Sequence, residues 1–467
     1  MSISLSFHGG AGTVTGSRHL LEADDSSVLI DAGMFQGLKE LRLLNWKGPS
    51  FDVGKLDHLL LTHGHIDHAG YLPRLVKLGY RGLVHCTPAT VDLAEILLLD
   101  SAKIQEEDAR YANRKKFSKH NPALPLYDTV EAQTAIDRLR AVHYGDWLRL
   151  DGHLSARFTN AGHILGSAHI EVRAKSKAGE RSVVFSGDIG RYNMPLHPDP
   201  SPPPACDYLV MESTYGDRDH DPTSFIEQMK KPLAAAFARG GTVLIPSFAV
   251  ARAQLVTLLL RKAMESGDLP EVPIHVDSPM AINTTRLYSK YLNEENLDAD
   301  IVGEGANGLF PDNVQFHRTV EESMQLNDLS GPRIIISASG MLTGGRVVHH
   351  LKRLITDEKN LIVMVGFQAA GTRGRAMLEG AQHIKMHGEM FPVRAQFIDV
   401  HGLSAHADRR ELIRWLRSAE RLPKVVFVVH GEPEAAMAMA ALIEKELSIE
   451  TVVPRMGDRY DLLNLQT

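Results

Sequence analysis

The stretch "THGHIDHAG", residues Thr62–Gly70, decides how the rest of this sequence is interpreted. It directly follows the apolar run "LDHLLL", which predicts a buried strand. Its two glycines favour a loop that leaves the strand and curls round an ion. Imidazole and carboxylate groups are ligands that zinc and similar ions prefer, so the pattern predicts ligands for two neighbouring metals. Its ligand-type side chains are His63, His65, Asp67 and His68.

Further ligand-type residues stand where other apolar runs stop beside a glycine or a small residue. They are Asp31, His163, Asp188, Glu212, His406 and His430. Each of them alone is compatible with a turn-capping aspartate or a surface histidine. Together they predict that several strand ends meet at one rim, where loops position functional groups on a rigid scaffold.

Composition limits what kind of protein this is. A chain of 467 residues suggests two or three domains, and its apolar and charged fractions are those of a folded protein. Its two cysteines, Cys86 and Cys206, exclude a disulfide framework and indicate a reducing compartment. The formal charge of −6 gives no overall attraction to polyphosphate, so nucleic-acid binding would need a local basic patch or metals.

No apolar run is long enough for a membrane helix. The first residues, "MSISLSFHGG", show neither a basic leader nor a long apolar stretch, so we expect no secretion signal and a cytoplasmic protein.

The pattern of apolar residues changes along the chain. The first part reads as short strands with glycine-rich turns, followed by helices and further strands, which indicates mixed sheets. After the proline-rich loop "HPDPSPPPACD", apolar strands alternate with helices, as in "GGTVLIPSFAVARAQ" and "RIIISASGMLTGGRVVHHLKRL". This alternation predicts a parallel, doubly wound sheet. From about Val393 the pattern of the first part returns, so the second domain is predicted to be inserted into the first.

These motifs resemble those of a known family. "THGHIDHAG", "AGHILGSAH" and "FSGDIG" match the metal motifs of the metallo-β-lactamase fold, and "MESTYG", "GLSAHAD" and "VVHGEP" match the additional motifs of its β-CASP branch. The resemblance implies an α/β protein, a metallo-β-lactamase αββα sandwich with an inserted β-CASP domain built on a parallel doubly wound sheet. The expected boundaries are 1–207 and 393–467 for the metallo-β-lactamase domain and 208–392 for the insert.

The same resemblance assigns roles to the motif residues. His63, His65 and His163 are expected to hold one zinc, Asp67, His68 and His430 a second, and Asp188 both. Asp31 is expected to orient a ligand histidine through its ring N–H. His406 is expected to protonate the leaving oxygen, with Glu212 fixing its orientation. The implied catalytic residues are thus His406, Glu212, Asp67 and Asp188.

The β-CASP branch contains nucleases, including the cleavage-factor endonuclease of messenger RNA 3′ processing and its bacterial relatives. The resemblance therefore implies a zinc-dependent endoribonuclease that acts on single-stranded RNA and leaves 5′-phosphate and 3′-hydroxyl ends. His430 resembles the RNA-cleaving members, since DNA-cleaving relatives tend to have an apolar residue there. A homodimer or an RNA-processing partner is left open.

Loops of the inserted domain are expected to contact RNA phosphates, because ligands bind beyond the C-terminal ends of parallel strands and helix N-termini suit phosphate oxygens. The candidate contacts are Ser247, Ser278, Ser337, Ser339, Gly340, Arg252, Arg373 and Arg375.

Two other functions are compatible with parts of the sequence. One is a hydrolase of a thioester, lactone or β-lactam on the same fold, but small substrates need no large inserted domain. The other is a non-catalytic RNA-binding subunit, whose RNA affinity would not change on chelation or on His406→Ala substitution.

Overall fold

A computed structural model gives the structure of the protein over residues 2–116, 120–293, 295–305, 313–366, 368 and 371–465. The chain forms two compact units. Unit 1 comprises Met1–Asp219 together with His406–Thr467, and unit 2 comprises His220–Ala405.

The strands, in chain order, are β1 Ile3–Gly9, β2 Arg18–Ala23, β3 Ser26–Ile30, β4 His58–Leu60, β5 Val84–Cys86, β6 Leu139–Ala141, β7 Trp147–Arg149, β8 Leu154–Asn160, β9 Ala168–Ser176, β10 Gly179–Phe185, β11 Tyr208–Glu212, β12 Thr242–Pro246, β13 Ile274–Val276, β14 Val314–Phe316, β15 Arg333–Ser337, β16 Leu361–Met364, β17 His383–Met386, β18 Glu389–Pro392, β19 Gln396–Asp399, β20 Val425–Val429, β21 Glu450–Val452 and β22 Arg459–Asp461.

The helices are α1 Lys39–Lys47, α2 Ile66–Ala69, α3 Leu72–Lys77, α4 Pro88–Lys115, α5 Thr129–Ile136, α6 Phe225–Ala238, α7 Arg252–Glu265, α8 Pro279–Lys290, α9 Ala299–Glu304, α10 Val320–Gln325, α11 Arg346–Leu354, α12 Arg373–Leu378, α13 Arg409–Arg417 and α14 Pro433–Leu447. None of the helices in the described part of the chain is long and apolar enough to cross a membrane.

Unit 1 is built on two mixed sheets. The first has the strand order β22-β1-β2-β3-β4-β5-β6, and the second has the order β21-β20-β11-β10-β9-β8-β7. The final strands β20, β21 and β22 join sheets that the first part of the chain begins, because β20 pairs with β11 and β22 pairs with β1. The two segments of unit 1 therefore share both sheets.

Apolar packing arranges unit 1 as four layers. Between the sheets lies one core, in which Phe7 of the first sheet contacts Phe427 of the second with ring centroids 5.4 Å apart. The outer face of the first sheet packs on α3, α4 and α5, and the outer face of the second packs on α13 and α14. This αββα sandwich confirms the predicted fold of the first domain.

Strand β20 shows why some strands of this sequence are uninterrupted apolar runs. Val425, Phe427 and Val429 point into the core between the sheets, whereas Val426 and Val428 pack on the helices. Because both faces of this strand are buried, its sequence is an uninterrupted apolar run rather than an alternating one. Each such side chain contributes roughly 1.5–3 kcal/mol of burial free energy.

Unit 2 contains a parallel sheet with the strand order β14-β13-β15-β12-β16-β19. Helices follow its strands, as the alternating pattern predicts, and α11 packs on the sheet through the buried Val347 and Leu351. A separate antiparallel hairpin is formed by β17 and β18. The parallel sheet confirms the predicted architecture of the inserted domain.

The chain passes from unit 1 to unit 2 after Asp219 and returns to unit 1 after Ala405. Both positions are later than the expected breaks after residues 207 and 392. Strand β11 was expected in the insert, but it lies between β10 and β20 in the second sheet of unit 1. Strand β19 was expected in the first domain, but it pairs with β16 at the edge of the unit 2 sheet. The unit to which each strand belongs is set by the strand with which it pairs. The change in the apolar pattern of the sequence does not reveal that pairing.

Both cysteines are free and buried. Burial raises the pKa of the Cys206 thiol to about 12, and it raises the pKa of Cys86 above its usual range. Since the thiolate is the reactive form, we predict that iodoacetamide modifies neither residue in the native protein at neutral pH. Mass spectrometry should find two modified thiols only after unfolding in guanidinium. Rapid labelling of native protein would contradict this packing.

Candidate metal centre

The metal-type residues of the "THGHIDHAG" stretch lie beyond the end of β4. The sequence predicted an open loop there, but Ile66–Ala69 forms a single helical turn, α2. The turn is held by backbone hydrogen bonds from Ser17 N–H to the Asp67 carbonyl (2.9 Å) and from Ala32 N–H to the His68 carbonyl (2.7 Å). The turn thereby fixes the direction in which the side chains of Asp67 and His68 leave the backbone.

Close backbone approach is required beside this turn. A Cβ atom built on Gly33 would lie 1.7 Å from the carbonyl oxygen of Asp67. Any side chain at Gly33 would therefore push the turn that carries Asp67 and His68 out of place.

The remaining ligand-type residues come from other strand ends of unit 1. His163 follows β8, Asp188 follows β10 and His430 follows β20 directly. His430 has a φ angle of +47°, and Asp31, which follows β3, has one of +64°. Side chains other than glycine rarely adopt this left-handed conformation, which costs about 1–3 kcal/mol and is concentrated at functional sites.

The first donor set consists of three imidazoles and a carboxylate: His63, His65, His163 and Asp188. His65 Nδ1 lies 3.1 Å from His63 Nε2 and 3.3 Å from His163 Nε2. Asp188 Oδ2 lies 3.3 Å from His63 Nε2 and 3.4 Å from His163 Nε2. The four donor atoms thus converge on one point.

The second donor set faces the other oxygen of the same carboxylate. It comprises Asp67, His68 and His430. His68 Nε2 lies 3.0 Å from His430 Nε2 and 3.2 Å from Asp188 Oδ1, and Asp67 Oδ2 lies 3.7 Å from His430 Nε2. Asp188 therefore stands between the two sets and presents one oxygen to each.

These spacings fit bound metal ions. Donor atoms bound to one tetrahedral zinc at about 2.0–2.2 Å lie roughly 3.3–3.6 Å apart. The nitrogen and oxygen separations in both sets are close to that edge length. Asp188 Oδ1 is also buried, and among the described residues no contact to it has hydrogen-bond geometry, although His68 Nε2 lies 3.2 Å away. A buried carboxylate oxygen without a donor is costly unless a cation occupies the adjacent space.

Burial keeps the imidazoles of the first set neutral. It lowers the pKa of His63 to about 3 and that of His65 to about 4, and it lowers the pKa of His163 well below its usual value. A neutral imidazole offers the lone pair that a metal ion needs, so this set is ready to bind a cation near neutral pH.

The second set is electrostatically different. Burial opposes protonation of His68, but Asp188 and Asp31 outweigh it and raise the pKa of His68 well above its usual value. Burial also acts to raise the pKa of Asp67, yet the adjacent His430 and His68 imidazoles hold it below its usual range. Burial acts in the same direction on the pKa of Asp188, but His430 and His68 outweigh it, so both carboxylates stay ionised and attract positive charge to this point.

Asp31 lies behind His68 of the second set. Its Oδ2 accepts from His68 Nδ1 at 2.7 Å, and its Oδ1 accepts from the backbone N–H of Thr62 at 2.8 Å. With Nδ1 donating to Asp31, Nε2 of His68 is left free to face Asp188.

His406 and Glu212 form a pair beside the first donor set. His406 Nδ1 lies 3.1 Å from Glu212 Oε2, and its Nε2 lies 3.8 Å from Asp188 Oδ2. Glu212 is fully buried, and its Oε1 accepts a hydrogen bond from the backbone N–H of Ile189 at 2.6 Å. Burial acts to lower the pKa of His406, but Glu212 and Asp188 outweigh it and raise that pKa to about 9.

The predicted RNA contacts lie in unit 2, and several of them are occupied within it. Arg252 is buried and donates to the Val365 carbonyl at 2.6 Å. Ser337 is fully buried and donates to the Asp277 carbonyl at 2.8 Å. These two side chains hold the strand ends together, which their position in the sequence did not reveal.

The other predicted contacts vary in exposure. Ser247 is buried, Gly340 packs against Phe248, and Ser278 caps the N-terminus of α8. Ser339 is half-buried beside Thr343. The more accessible arginines are Arg373, which donates to the Leu342 carbonyl at 2.7 Å, and the exposed Arg375, which pairs with Glu379.

Two threonines in the metal centre were not foreseen. Thr62 lies between Asp31 and His63, and Thr214 lies between Glu212 and His430. Both lie within quoted motifs, Thr62 at the start of "THGHIDHAG" and Thr214 inside "MESTYG". Threonine is so common at strand ends that a single sequence carries no signal for such a role.

Comparisons with known proteins identify the family of the chain. The model of the Metallo-beta-lactamase superfamily matches residues 12–231, that of the Beta-Casp domain matches residues 253–377, and that of the Zn-dependent metallo-hydrolase RNA specificity domain matches residues 390–454. A solved protein of unknown function from Enterococcus faecalis V583 has a similar fold, with a TM-score of 0.55, 14% identity and coverage of 99% of this chain and 100% of that one.

Curated relatives cover nearly the whole chain. Ribonuclease TTHA0252 of Thermus thermophilus is 39% identical over 93% of this chain and 94% of its own length. Transcription termination factor FttA of Methanocaldococcus jannaschii is 32% identical over 97% of this chain and 70% of its own length. An RNase J-like protein of the same archaeon is 30% identical over 97% of this chain and 99% of its own length. The chain belongs to the β-CASP family of the metallo-β-lactamase superfamily.

Proposed function

We propose that this protein is a zinc-dependent ribonuclease that hydrolyses phosphodiester bonds of single-stranded RNA within the strand, leaving 5′-phosphate and 3′-hydroxyl ends. The observation that carries the proposal is the pair of donor sets that share Asp188. The relatives named as a ribonuclease and as an RNase J-like protein support RNA as the substrate.

The proposed ligands follow from the convergence of the donor atoms. His63, His65 and His163 would hold one zinc, and Asp67, His68 and His430 would hold the other. Asp188 would bind both through its two oxygens. Nitrogen and carboxylate donors in this mixture suit zinc.

The reaction combines the metals with two groups of the protein. When bound at these residues, zinc ions would activate water near neutral pH and would supply positive charge against the charge that builds on the phosphodiester. His406 Nε2 faces the donor sets and carries a proton, because Glu212 stabilises the imidazolium. We assign to it the transfer of that proton to the departing ribose oxygen. Glu212 holds the ring in the orientation for this transfer.

Contacts to the rest of the RNA are proposed for unit 2. Ser339, Arg373 and Arg375 are the accessible members of the predicted set and would contact phosphates. The buried Arg252 and Ser337 would support the loops instead. A homodimer or an RNA-processing partner in the cytoplasm is also proposed, and such a processing partner would supply selectivity for particular RNAs.

Removal of individual ligands tests the proposed metal assignment. We predict that elemental analysis of the zinc-saturated protein finds two zinc ions per chain, that His430→Ala retains one, and that Asp188→Ala retains fewer than one. Asp188→Ala should lose more than the single-set variant because both sets use its carboxylate. His143→Ala, which removes an exposed histidine of unit 1, is the matched control and should retain both ions.

Cleavage of end-labelled oligonucleotides tests the proposed activity. The wild-type protein with zinc should cut single-stranded RNA at internal positions and lose this activity with chelator. His406→Gln should lower kcat by roughly 10²–10⁴-fold, since general acid catalysis contributes about that much, while the zinc content stays unchanged.

The alternatives predict different results from the same assay. A hydrolase of small esters or lactams would leave RNA intact with both zinc ions bound. A non-catalytic RNA-binding subunit would retain the oligonucleotide equally well with chelator and in His406→Gln. Failure to cut RNA by the zinc-loaded wild-type protein would contradict the proposed function.

A further inference from the structure

Ligand imidazoles need an acceptor for the ring N–H that faces away from the metal, because that bond fixes the tautomer and the ring orientation. His68 meets this need directly at Asp31. The corresponding nitrogens of His63 and His430 have no carboxylate so near: the Nδ1 atom of His430 lies 3.6 Å from Asp188 Oδ1, which is beyond hydrogen-bond distance. Each lies instead beside a threonine hydroxyl, and each hydroxyl lies against one of the two buried carboxylates behind the site.

The first threonine connects Asp31 to the first donor set. Thr62 is 1% exposed, and its Oγ1 lies 3.0 and 2.9 Å from the two oxygens of Asp31. The same Oγ1 lies 3.0 Å from His63 Nδ1. Nε2 of His63 then faces Asp188 at 3.3 Å.

The second threonine connects Glu212 to the second donor set. Thr214 Oγ1 lies 2.6 Å from Glu212 Oε2 and 3.2 Å from His430 Nδ1. The carbonyl oxygen of His430 is another acceptor, 3.1 Å away. The shorter distance and the negative charge favour donation to Glu212.

Proton accounting gives each hydroxyl a defined direction. A threonine hydroxyl has one proton to donate and lone pairs to accept with. An ionised carboxylate can only accept, so the hydroxyl donates to it and its lone pair receives the imidazole N–H. This arrangement leaves Nε2 of His63 and of His430 unprotonated on the side where the donor sets converge.

We propose that Thr62 and Thr214 are positioning residues, each of which extends one carboxylate to a second imidazole of the metal centre. Asp31 orients His68 directly and His63 through Thr62, so one carboxylate serves a ligand of each donor set. Glu212 orients His406 directly and His430 through Thr214, so the carboxylate of the proton donor also serves a metal ligand. This inference goes beyond the proposed ribonuclease activity, because it concerns metal affinity and needs no RNA substrate.

The other contacts of the carboxylates make the two effects separable. Without the Thr62 hydroxyl, Asp31 still accepts from the Thr62 backbone N–H and from His68. Without the Thr214 hydroxyl, Glu212 still accepts from the Ile189 backbone N–H and pairs with His406. Each hydroxyl deletion should therefore weaken one donor set and spare the other.

Zinc competition against a chromophoric chelator tests this on the full-length protein. Thr62→Val should lower the affinity for one of the two zinc ions by about 10–100-fold, the usual effect of removing an outer hydrogen-bond partner. Thr214→Val should lower the affinity for the other zinc ion by a similar factor. Thr62→Ser and Thr214→Ser keep the hydroxyl and should bind both ions within a few-fold of wild type. Thr257→Val, which deletes a buried hydroxyl bonded inside helix α7, is the matched control.

Cobalt absorption identifies which donor set is affected. Saturation with Co²⁺ should give spectra in which Thr62→Val and Thr214→Val perturb different components, whereas both serine variants reproduce the wild-type spectrum. If a valine variant fails to fold, as judged by circular dichroism, the alanine and serine variants at that position provide the same comparison. Wild-type affinity for both ions in the hydroxyl-deleted proteins, or equal losses with serine and valine, would overturn the proposal.

Discussion

The buried carboxylate of Asp188 is the interaction on which the site depends. It lies between two groups of imidazoles and gives one oxygen to each, at 3.3 and 3.4 Å on one side and 3.2 Å on the other. A buried anion of this kind is stable only when positive charge stands beside it. Either a protonated His68, whose pKa Asp188 and Asp31 raise, or a bound divalent cation can provide that charge, since a ligating imidazole nitrogen carries no proton.

The two packed sheets of unit 1 hold the converging donor side chains in fixed positions. The donors come from separated segments of the chain, and nearly all of them follow the end of a strand in one of two stacked sheets. Strand β20, from the last part of the chain, is placed beside β11 by pairing along its whole length. This pairing brings His430 Nε2 within 3.0 Å of His68 Nε2, although the two residues are 362 positions apart. The left-handed backbone at His430 and Asp31 is tolerated because the packed sheets on both sides determine it.

Much of this could be predicted from the sequence. The motif at His63–His68 and the strand ends at His163, Asp188 and His430 indicated one metal rim, and the alternation of apolar strands and helices indicated the parallel sheet of the insert. Both could be inferred because ligand-type residues and the hydrophobic period are local features of a sequence, and the structure brings these donor residues together. The uninterrupted apolar runs also indicated buried strands, since a strand that is buried on both faces needs apolar residues at successive positions.

Other features depend on contacts that a sequence does not show. The side on which β11 and β19 pair determines where each unit ends, and that pairing depends on partners far along the chain. The position of Arg252 in the sequence suggests a contact to phosphate, but in the structure its guanidinium donates a hydrogen bond to the Val365 carbonyl. A positioning role for Thr62 and Thr214 can be inferred only from the structure, which places their hydroxyls against Asp31 and Glu212.

The most direct test of a carboxylate shared between two cations is anomalous diffraction from crystals of the zinc-loaded protein, collected on both sides of the zinc absorption edge. Two peaks about 3.5–4 Å apart, one on each side of the Asp188 carboxylate and each bonded to one of its oxygens, are expected. A single peak, or two peaks of which one has no contact with Asp188, would contradict the shared-carboxylate centre.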